Sequence, residues 1–485
     1  MKTNIRIFLS GLMLLFVQYI VAQPIAISFD SYQEMPQSTL KDKLDDLGSG
    51  GITFVGKNDE GNYVAVAMHK IIREHQWVEE LVLSPNMIVK NALKVDDINT
   101  SKAYFGKEIG KILQYLNVSF HVQGKGFISY GVVQRFTGTG ILGYSIEQYH
   151  YHKRKDEAGT NVCSIGRFCG MIESGDRSLV AFKPVLSDYG NVLMINLDDG
   201  TSKKFPFGTI NSPVFYANNG LKCGFSANGM PHAINRWGDE FYVFYQPQDS
   251  VMKRYIKLPL NIDEHAFPLI HEINDDKIII STLYGTPGKY ATAKFEIKGI
   301  RTFAYHQATK KCEVIDEYAF EKPWKEIAAD PACQPHYDVY PVDGGTVAVY
   351  EYGFKRKKAE KDFFDRLGVG ELGHYFYVGI SQDGKIIAHK NFEPNYDEKR
   401  LMSFTHNGKF HQLSLVPDKD AQSDDKFQIL LTSWGKDAAP TTEKLCNVPS
   451  DKDNYDFIRT GKGKYDIVVT SSNYKKYRFG TLTLQ

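Results

Sequence analysis

Apolar and polar residues alternate in short runs down this chain, and the runs come in pairs joined by turn residues. Asn191-Val192-Leu193-Met194-Ile195-Asn196-Leu197 leads into Asp198-Asp199-Gly200. Tyr375-Phe376-Tyr377-Val378-Gly379-Ile380 leads into Ser381-Gln382-Asp383-Gly384, after which Lys385-Ile386-Ile387-Ala388 resumes the alternation. A period of two sets one face of a strand against a core, and Asp-Gly offers the positive-φ positions that a tight hairpin turn requires. Turns of this kind fall near Pro85-Asn86, around Gly140, and at Asp199-Gly200, Gln248-Asp249, Thr309-Lys310, Asp383-Gly384 and Lys436-Asp437. Their mean spacing of about 59 residues is a repeat period. It predicts an all-β chain folded as a β-propeller of about seven four-stranded blades, with six to eight compatible with the uneven spacing.

Further runs supply strands nearer the axis: Ile52-Thr53-Phe54-Val55, Tyr63-Val64-Ala65-Val66, Lys277-Ile278-Ile279-Ile280 and Thr346-Val347-Ala348-Val349. The last thirty residues hold two more, Tyr465 to Val469 and Tyr477 to Leu484. An ending in strands suits ring closure, one terminus completing a blade begun by the other. Helical spacing occurs in Lys107 to Leu116 and Lys357 to Leu367, expected as short insertions between blades. No Pro/Ser-rich linker divides the chain, so residues 23–485 are expected as one domain.

Residues 1–22 read as a signal peptide: Lys2 and Arg6, an apolar stretch from Ile7 to Val17, then Ile20-Val21-Ala22 as the cleavage site. With export, the product would be periplasmic, outer-surface or extracellular. The 58 Lys and Arg residues balance 57 Asp and Glu, so no global field favours nucleic acid or an anionic membrane. Six cysteines in 485 residues make no disulfide scaffold. Cys163 and Cys169 are near enough in sequence to close a small loop in an oxidising compartment. Cys312 and Cys333 form a second spacing open to pairing, while Cys223 and Cys446 read as buried single residues.

Candidate chemistry changes this picture little. Gly138-Thr139-Gly140-Ile141-Leu142-Gly143 matches a dinucleotide fingerprint by letter but lacks the strand and helix that the chemistry needs. His150 and His152 would share one strand face, a metal-chelating spacing with no third ligand in view, and His265 and His271 call for the same caution. Asp418 to Asp425 begins like a calcium loop but has Ser423 in place of the turn glycine. Gly224-Phe225-Ser226-Ala227-Asn228 lacks the closing glycine of a hydrolase elbow. Ser381-Gln382-Asp383-Gly384 approaches an aspartate box without its intervening residue and tryptophan. No metal or cofactor is therefore expected. The densest polar and aromatic stretch, Gly224 to Asp239, is expected as a loop presenting Asn228, His232, Arg236 and Trp237 to a ligand.

In its hairpins, and in a leader ending Val21-Ala22-Gln23, the chain resembles the exported β-propeller-like proteins of Bacteroidota-type bacteria, many without an assigned function. That resemblance implies an envelope or extracellular location and transfers no catalytic residue. The expected role is a binding module for a protein or glycan partner. The alternatives are a glycoside hydrolase with paired carboxylates in the central funnel and a structural subunit of an envelope complex.

Overall fold

The computed structural model describes residues 25–36, 52–58, 60–71, 75–99, 114–122, 126–138, 144–153, 167–174, 177–183, 191–196, 202–206, 222–228, 230–237, 240–245, 254–261, 264–286, 295–327, 337–352, 374–392, 398–422, 424–435, 439–461 and 463–484. Between residues 93 and 225 the description is of strands and their pairing alone. The chain opens with β1 (Ala26–Phe29) and β2 (Gln33–Glu34). The first sheet then holds β3 (Ile52–Lys57), β4 (Tyr63–Ile71), β5 (His75–Leu83) and β6 (Val89–Asn99). The second holds β7 (Gln114–Val122), β8 (Gly126–Gly138) and β9 (Tyr144–Lys153).

The third sheet is β10 (Arg167–Ser174), β11 (Arg177–Lys183), β12 (Asn191–Asn196) and β13 (Ser202–Pro206). The fourth is β14 (Lys222–Phe225), β15 (Pro231–Trp237), β16 (Glu240–Tyr245) and β17 (Arg254–Leu258). The fifth is β18 (His265–Ile273), β19 (Lys277–Thr286), β20 (Phe295–His306) and β21 (Lys311–Ile327). The sixth is β22 (Tyr337–Val342), β23 (Gly345–Tyr352), β24 (His374–Ser381) and β25 (Ile386–Phe392), and the seventh β26 (Lys399–His406), β27 (Lys409–Pro417), β28 (Phe427–Trp434) and β29 (Thr441–Val448). In the eighth, β30 (Asn454–Gly461), β31 (Lys464–Thr470) and β32 (Lys476–Thr483) are completed by β1, which pairs β32 from Ala26↔Thr483 to Phe29↔Gly480; β2 also pairs β32.

All of these pairings are antiparallel between neighbours in sequence, apart from those of β1 and β2. The seven turns expected from the sequence fall between β5 and β6, β8 and β9, β12 and β13, β16 and β17, β20 and β21, β24 and β25, and β28 and β29, so each joins the outer two strands of a sheet. Those around Gly140, Asp199, Gln248 and Lys436 lie outside the described residues, but their flanking strands pair as hairpins. The eighth sheet has no such turn because its outer strand is β1.

The helix expected at 107–116 is corrected at its end. No helix occurs among the described residues. Gln114, Tyr115 and Leu116 open β7, where apolar residues recur at every second position and β8 satisfies the backbone. The rest of 107–116, and all of 357–367, lies outside the described residues.

Period-two alternation explains the core. Ile278 and Ile280 of β19 pack toward the fourth sheet with Val243, Tyr245 and Leu258, while Leu283, Ile297 and Ile300 pack toward the sixth with Tyr350, Phe376 and Val378. A sheet buried on both faces is the result. Similar apolar layers join the sixth to the seventh sheet around Phe410 and Trp434, the seventh to the eighth around Leu413 and Ile467, and the eighth to the first around Ala65 and Val468. Among the remaining neighbours β3 meets β7, β9 meets β10, and β10 meets β14. First strands also meet one another in β18 and β22, β22 and β26, and β30 and β3, while β10 approaches β26 and β14 approaches β22. Repeated meanders touching through their first strands are, in coarse form, the β-propeller arrangement.

Candidate functional site

The first strands β26, β30 and β3 bring ionisable groups together where the eighth sheet meets its neighbours. Phe54 of β3 donates its backbone N–H to Oδ2 of Asp456 on β30, 2.9 Å away, and Ile52 donates its N–H to the Tyr474 hydroxyl at 3.3 Å. Burial pushes the half-buried Asp456 carboxyl up to about 7, against the Phe54 N–H and the Lys399 charge, which both pull it down. Lys399, at the start of β26, donates from Nζ to the Asp453 carbonyl at 2.9 Å. Burial lowers its pKa, with Asp453, Asp451 and Asp456 opposing. The Tyr32 hydroxyl donates to Asp453, and Lys57 forms an ion pair with Asp466 across the same junction.

One carboxyl poised near neutrality is what a general acid requires. Asp456, however, is shifted by burial and opposed by a cation and an amide, with no second carboxylate contributing. Retaining or inverting glycoside hydrolysis needs two. Its described hydrogen bond joins adjacent sheets.

A second cluster is closed to solvent. Nδ1 of His271 lies 2.6 Å from the Thr346 hydroxyl and Nε2 lies 2.6 Å from that of Ser281, which in turn is 2.6 Å from the Tyr350 hydroxyl. Burial lowers the imidazole to about 3. Ser281 is fully buried, so this Ser-His pair cannot meet a substrate and serves to join the fifth and sixth sheets. His411, lowered to about 4 mainly by burial, makes a similar bond to Ser433 at 2.8 Å.

An open groove of about 700 Å³ lies between the fourth and fifth sheets, lined by Arg254, Ile256, Lys257, Pro259, Tyr305, Gln307 and Lys310. Its wall is built by Gln307 in the β20–β21 turn. Oε1 of Gln307 accepts from the Tyr245 hydroxyl at 2.8 Å and from Arg254 Nη1 at 2.6 Å, and its amide nitrogen donates to the Asn274 carbonyl. Lys257 pairs with Glu240.

The residues singled out from the sequence are placed as follows. Gly224 to Asp239 is a hairpin rather than a loop, because Pro231–Trp237 pairs with strands on both sides. Asn228 is exposed in the β14–β15 turn, where its Nδ2 donates to the Ile273 carbonyl at 2.7 Å and its Oδ1 accepts from the Ser226 hydroxyl. His232 is buried in β15 with Nδ1 3.3 Å from the Met230 carbonyl. Arg236 and Trp237 lie farther along the same strand, opposite Phe241 and Glu240, and their side chains are outside the described residues.

Cys163 and Cys333 lie outside the described residues, and Cys169 and Cys223 are described by backbone alone. Cys312 and Cys446 carry free thiols, which burial pushes up to about 12 and about 11. His150 and His152 sit in β9 opposite Val132 and Tyr130. His265 bonds the Asn261 carbonyl at 3.0 Å. Gly138 pairs with Tyr144 across a hairpin, so no helix follows the glycine-rich stretch to receive a pyrophosphate. The Asp418 carboxylate is taken by Lys444 at 2.8 Å and Asn447 at 3.1 Å. Among the described residues no three His, Cys, Asp or Glu side chains converge as metal ligands, and no helix is long and apolar enough to cross a membrane.

Sequence reading missed Asp456, Lys399 and the groove. Their partners come from different sheets, and only the turn at Thr309-Lys310 gave a local signal.

No family model and no curated protein matches the chain. Among solved structures it is similar to the WD40 domain of SCAP from fission yeast, at 10% identity and a TM-score of 0.33 over 95% of this chain and 98% of that one. It is also similar to the Vanderwaltozyma polyspora Nup133 β-propeller domain, at 10% identity and a TM-score of 0.33 over 80% and 97%. A third similarity is to the six-bladed Aleuria aurantia lectin, at 10% identity and 0.29 over 70% and 97%. Superpositions this loose leave sheet number and function to be argued from the chain itself.

Proposed function

We propose that this chain is an exported interaction module, an eight-bladed propeller that offers its rim and side grooves to a protein or glycan partner. The eight sheets are its blades, in contact from each to the next and from the last back to the first. The observation that carries the reading is how the described ionisable groups are used. Near the first strands Asp456 and Lys399 bond backbone groups of neighbouring segments, whereas Arg254, Lys257 and Lys310 stand exposed around an open groove. The export leader at residues 1–22 belongs to the same proposal.

Purified protein tested against an array of defined glycans, and cross-linked to its neighbours in the cells that make it, should show saturable association without product release. The near-neutral Asp456 favours one rival, glycan hydrolysis. Release of reducing ends from a polysaccharide, abolished in D456N, would replace the binding reading with the hydrolase.

A further inference from the structure

We propose that the groove between the fourth and fifth sheets docks an extended acidic peptide, which adds to β17 as one more antiparallel strand. The proposal deepens the interaction-module reading and rests on it. Among the described residues β17 is the last strand of its sheet and pairs only β16, from Arg254↔Tyr245 to Leu258↔Phe241. Alternate N–H and C=O groups on its other edge therefore have no strand partner among the described residues, and such an edge is a template for a further strand.

The groove beside this edge supplies what backbone pairing alone lacks. Ile256, Pro259 and Tyr305 give it an apolar floor, and Arg254, Lys257 and Lys310 surround it with positive charge, with no carboxylate among the described lining residues. Glu240 compensates Lys257. Arg254 bonds a neutral amide, and among the described residues no carboxylate pairs with Arg254 or Lys310, so both charges remain free to meet an anionic ligand. Side chains of an added strand point alternately to opposite faces. Arg254 and Ile256, two positions apart, share the face of β17 turned to the fifth sheet, so an occupant with acidic residues at every second position sets one acidic face toward Arg254 and Lys310. The wall is preformed, since Gln307 is fixed by three hydrogen bonds to Tyr245, Arg254 and Asn274, which lowers the ordering cost of binding.

The probe is a fluorescein-labelled peptide, Glu-Val-Glu-Leu-Glu-Val-Glu, titrated onto the full chain and followed by anisotropy. Expected results are saturable binding, loss of at least about tenfold in affinity in the double variant R254E/K310E, and weakening as salt is raised. Two further peptides, N-methylated at the odd or at the even positions, distinguish strand addition from charge attraction. One should lose binding and the other keep it, because only one set of amides faces β17. K310E alone, whose exposed side chain supports no described bond, should also weaken binding while its far-ultraviolet circular dichroism and melting temperature match the parent.

Equal binding of both methylated peptides, displacement by polygalacturonate at matched charge, or unchanged affinity in the double variant would each overturn the proposal. Failure of the peptide beside a positive glycan or cross-linking result would remove the groove and leave the interaction module standing.

Discussion

The backbone N–H of Phe54 and the carboxylate of Asp456 meet at 2.9 Å across 402 positions of sequence. The bond joins the first sheet to the eighth. Because burial raises the same carboxyl to about 7, the contact depends on pH.

In the folded chain Asp456 keeps its proton up to about 7, while in the unfolded chain it loses it near the ordinary aspartate value. Its contribution to stability is therefore fully present below that ordinary value and lost as pH rises through 7, at about 1.4 kcal/mol per pH unit. D456N keeps an oxygen for the Phe54 N–H and has no titration. Urea midpoints of the two proteins, measured from pH 4 to 8, should diverge in favour of D456N up to about pH 7 and run parallel above it. Parallel behaviour throughout would contradict the shifted carboxyl.

His271 and His411 act in the opposite direction. Held near 3 and near 4 in the folded state, they remain neutral where the unfolded chain takes up protons. Their contribution is intact above about 6.5 and lost as pH falls toward those values, again at about 1.4 kcal/mol per unit for each residue. H271A also leaves the hydroxyls of Ser281 and Thr346 without their shared ring, at a cost of about 3 kcal/mol. Its melting temperature should fall near neutral pH, and the gap to the parent should narrow as pH drops and close near about 4, because the variant has no imidazole to protonate. An unchanged acid limb would show that another group controls it.

Asn407 and Gly408 both have positive φ, 47° and 68°, and form the two-residue turn between β26 and β27. A Cβ at Gly408 would overlap the Asp343 carboxylate. G408A should cost about 1–3 kcal/mol by denaturant titration. Adding D343A should restore the steric part and leave the conformational one.

Arg478 of β32 lies between the rings of Phe29 and Tyr32, 4.4 and 4.5 Å from their centroids. Deleting residues 25–36 strips both rings from the guanidinium, withdraws Ile27 and Phe29 from the layer between the seventh and eighth sheets, and bares the β32 edge. The shortened protein should melt at least about 10 °C lower and self-associate in size-exclusion chromatography with light scattering. A peptide of residues 24–36 added in trans should reverse both effects. A monomer of unchanged melting temperature would show that the closing strand is dispensable.

Much of the architecture was legible because strand alternation and turn residues are local properties. Asp199-Gly200, Thr309-Lys310 and Asp383-Gly384 all mark outer hairpins. Even there the detail differed: at Asp383-Gly384 the glycine has positive φ, 92°, and the aspartate does not, and the turn closes with Gly384 donating to the Ser381 carbonyl and Lys385 to the Ser381 hydroxyl, a longer form than a two-residue Asp-Gly turn. The eighth sheet escaped a count of outer turns because its outer strand lies at the other end of the chain. Asp456, Lys399, Arg254 and Lys310 were hidden for a related reason. Each gains its role from a neighbour hundreds or tens of residues away, and no window of sequence contains both.

Ser28 and Thr481 touch through their hydroxyls at 2.9 Å, 453 positions apart. During synthesis the earliest strand must wait, unpaired, until the final one has been made. A contact of that separation carries a large loop-closure cost, and until it forms the β32 edge is open to a foreign strand. Closing the eighth sheet through strands from opposite ends of the sequence makes that edge the one a misassembled copy would share.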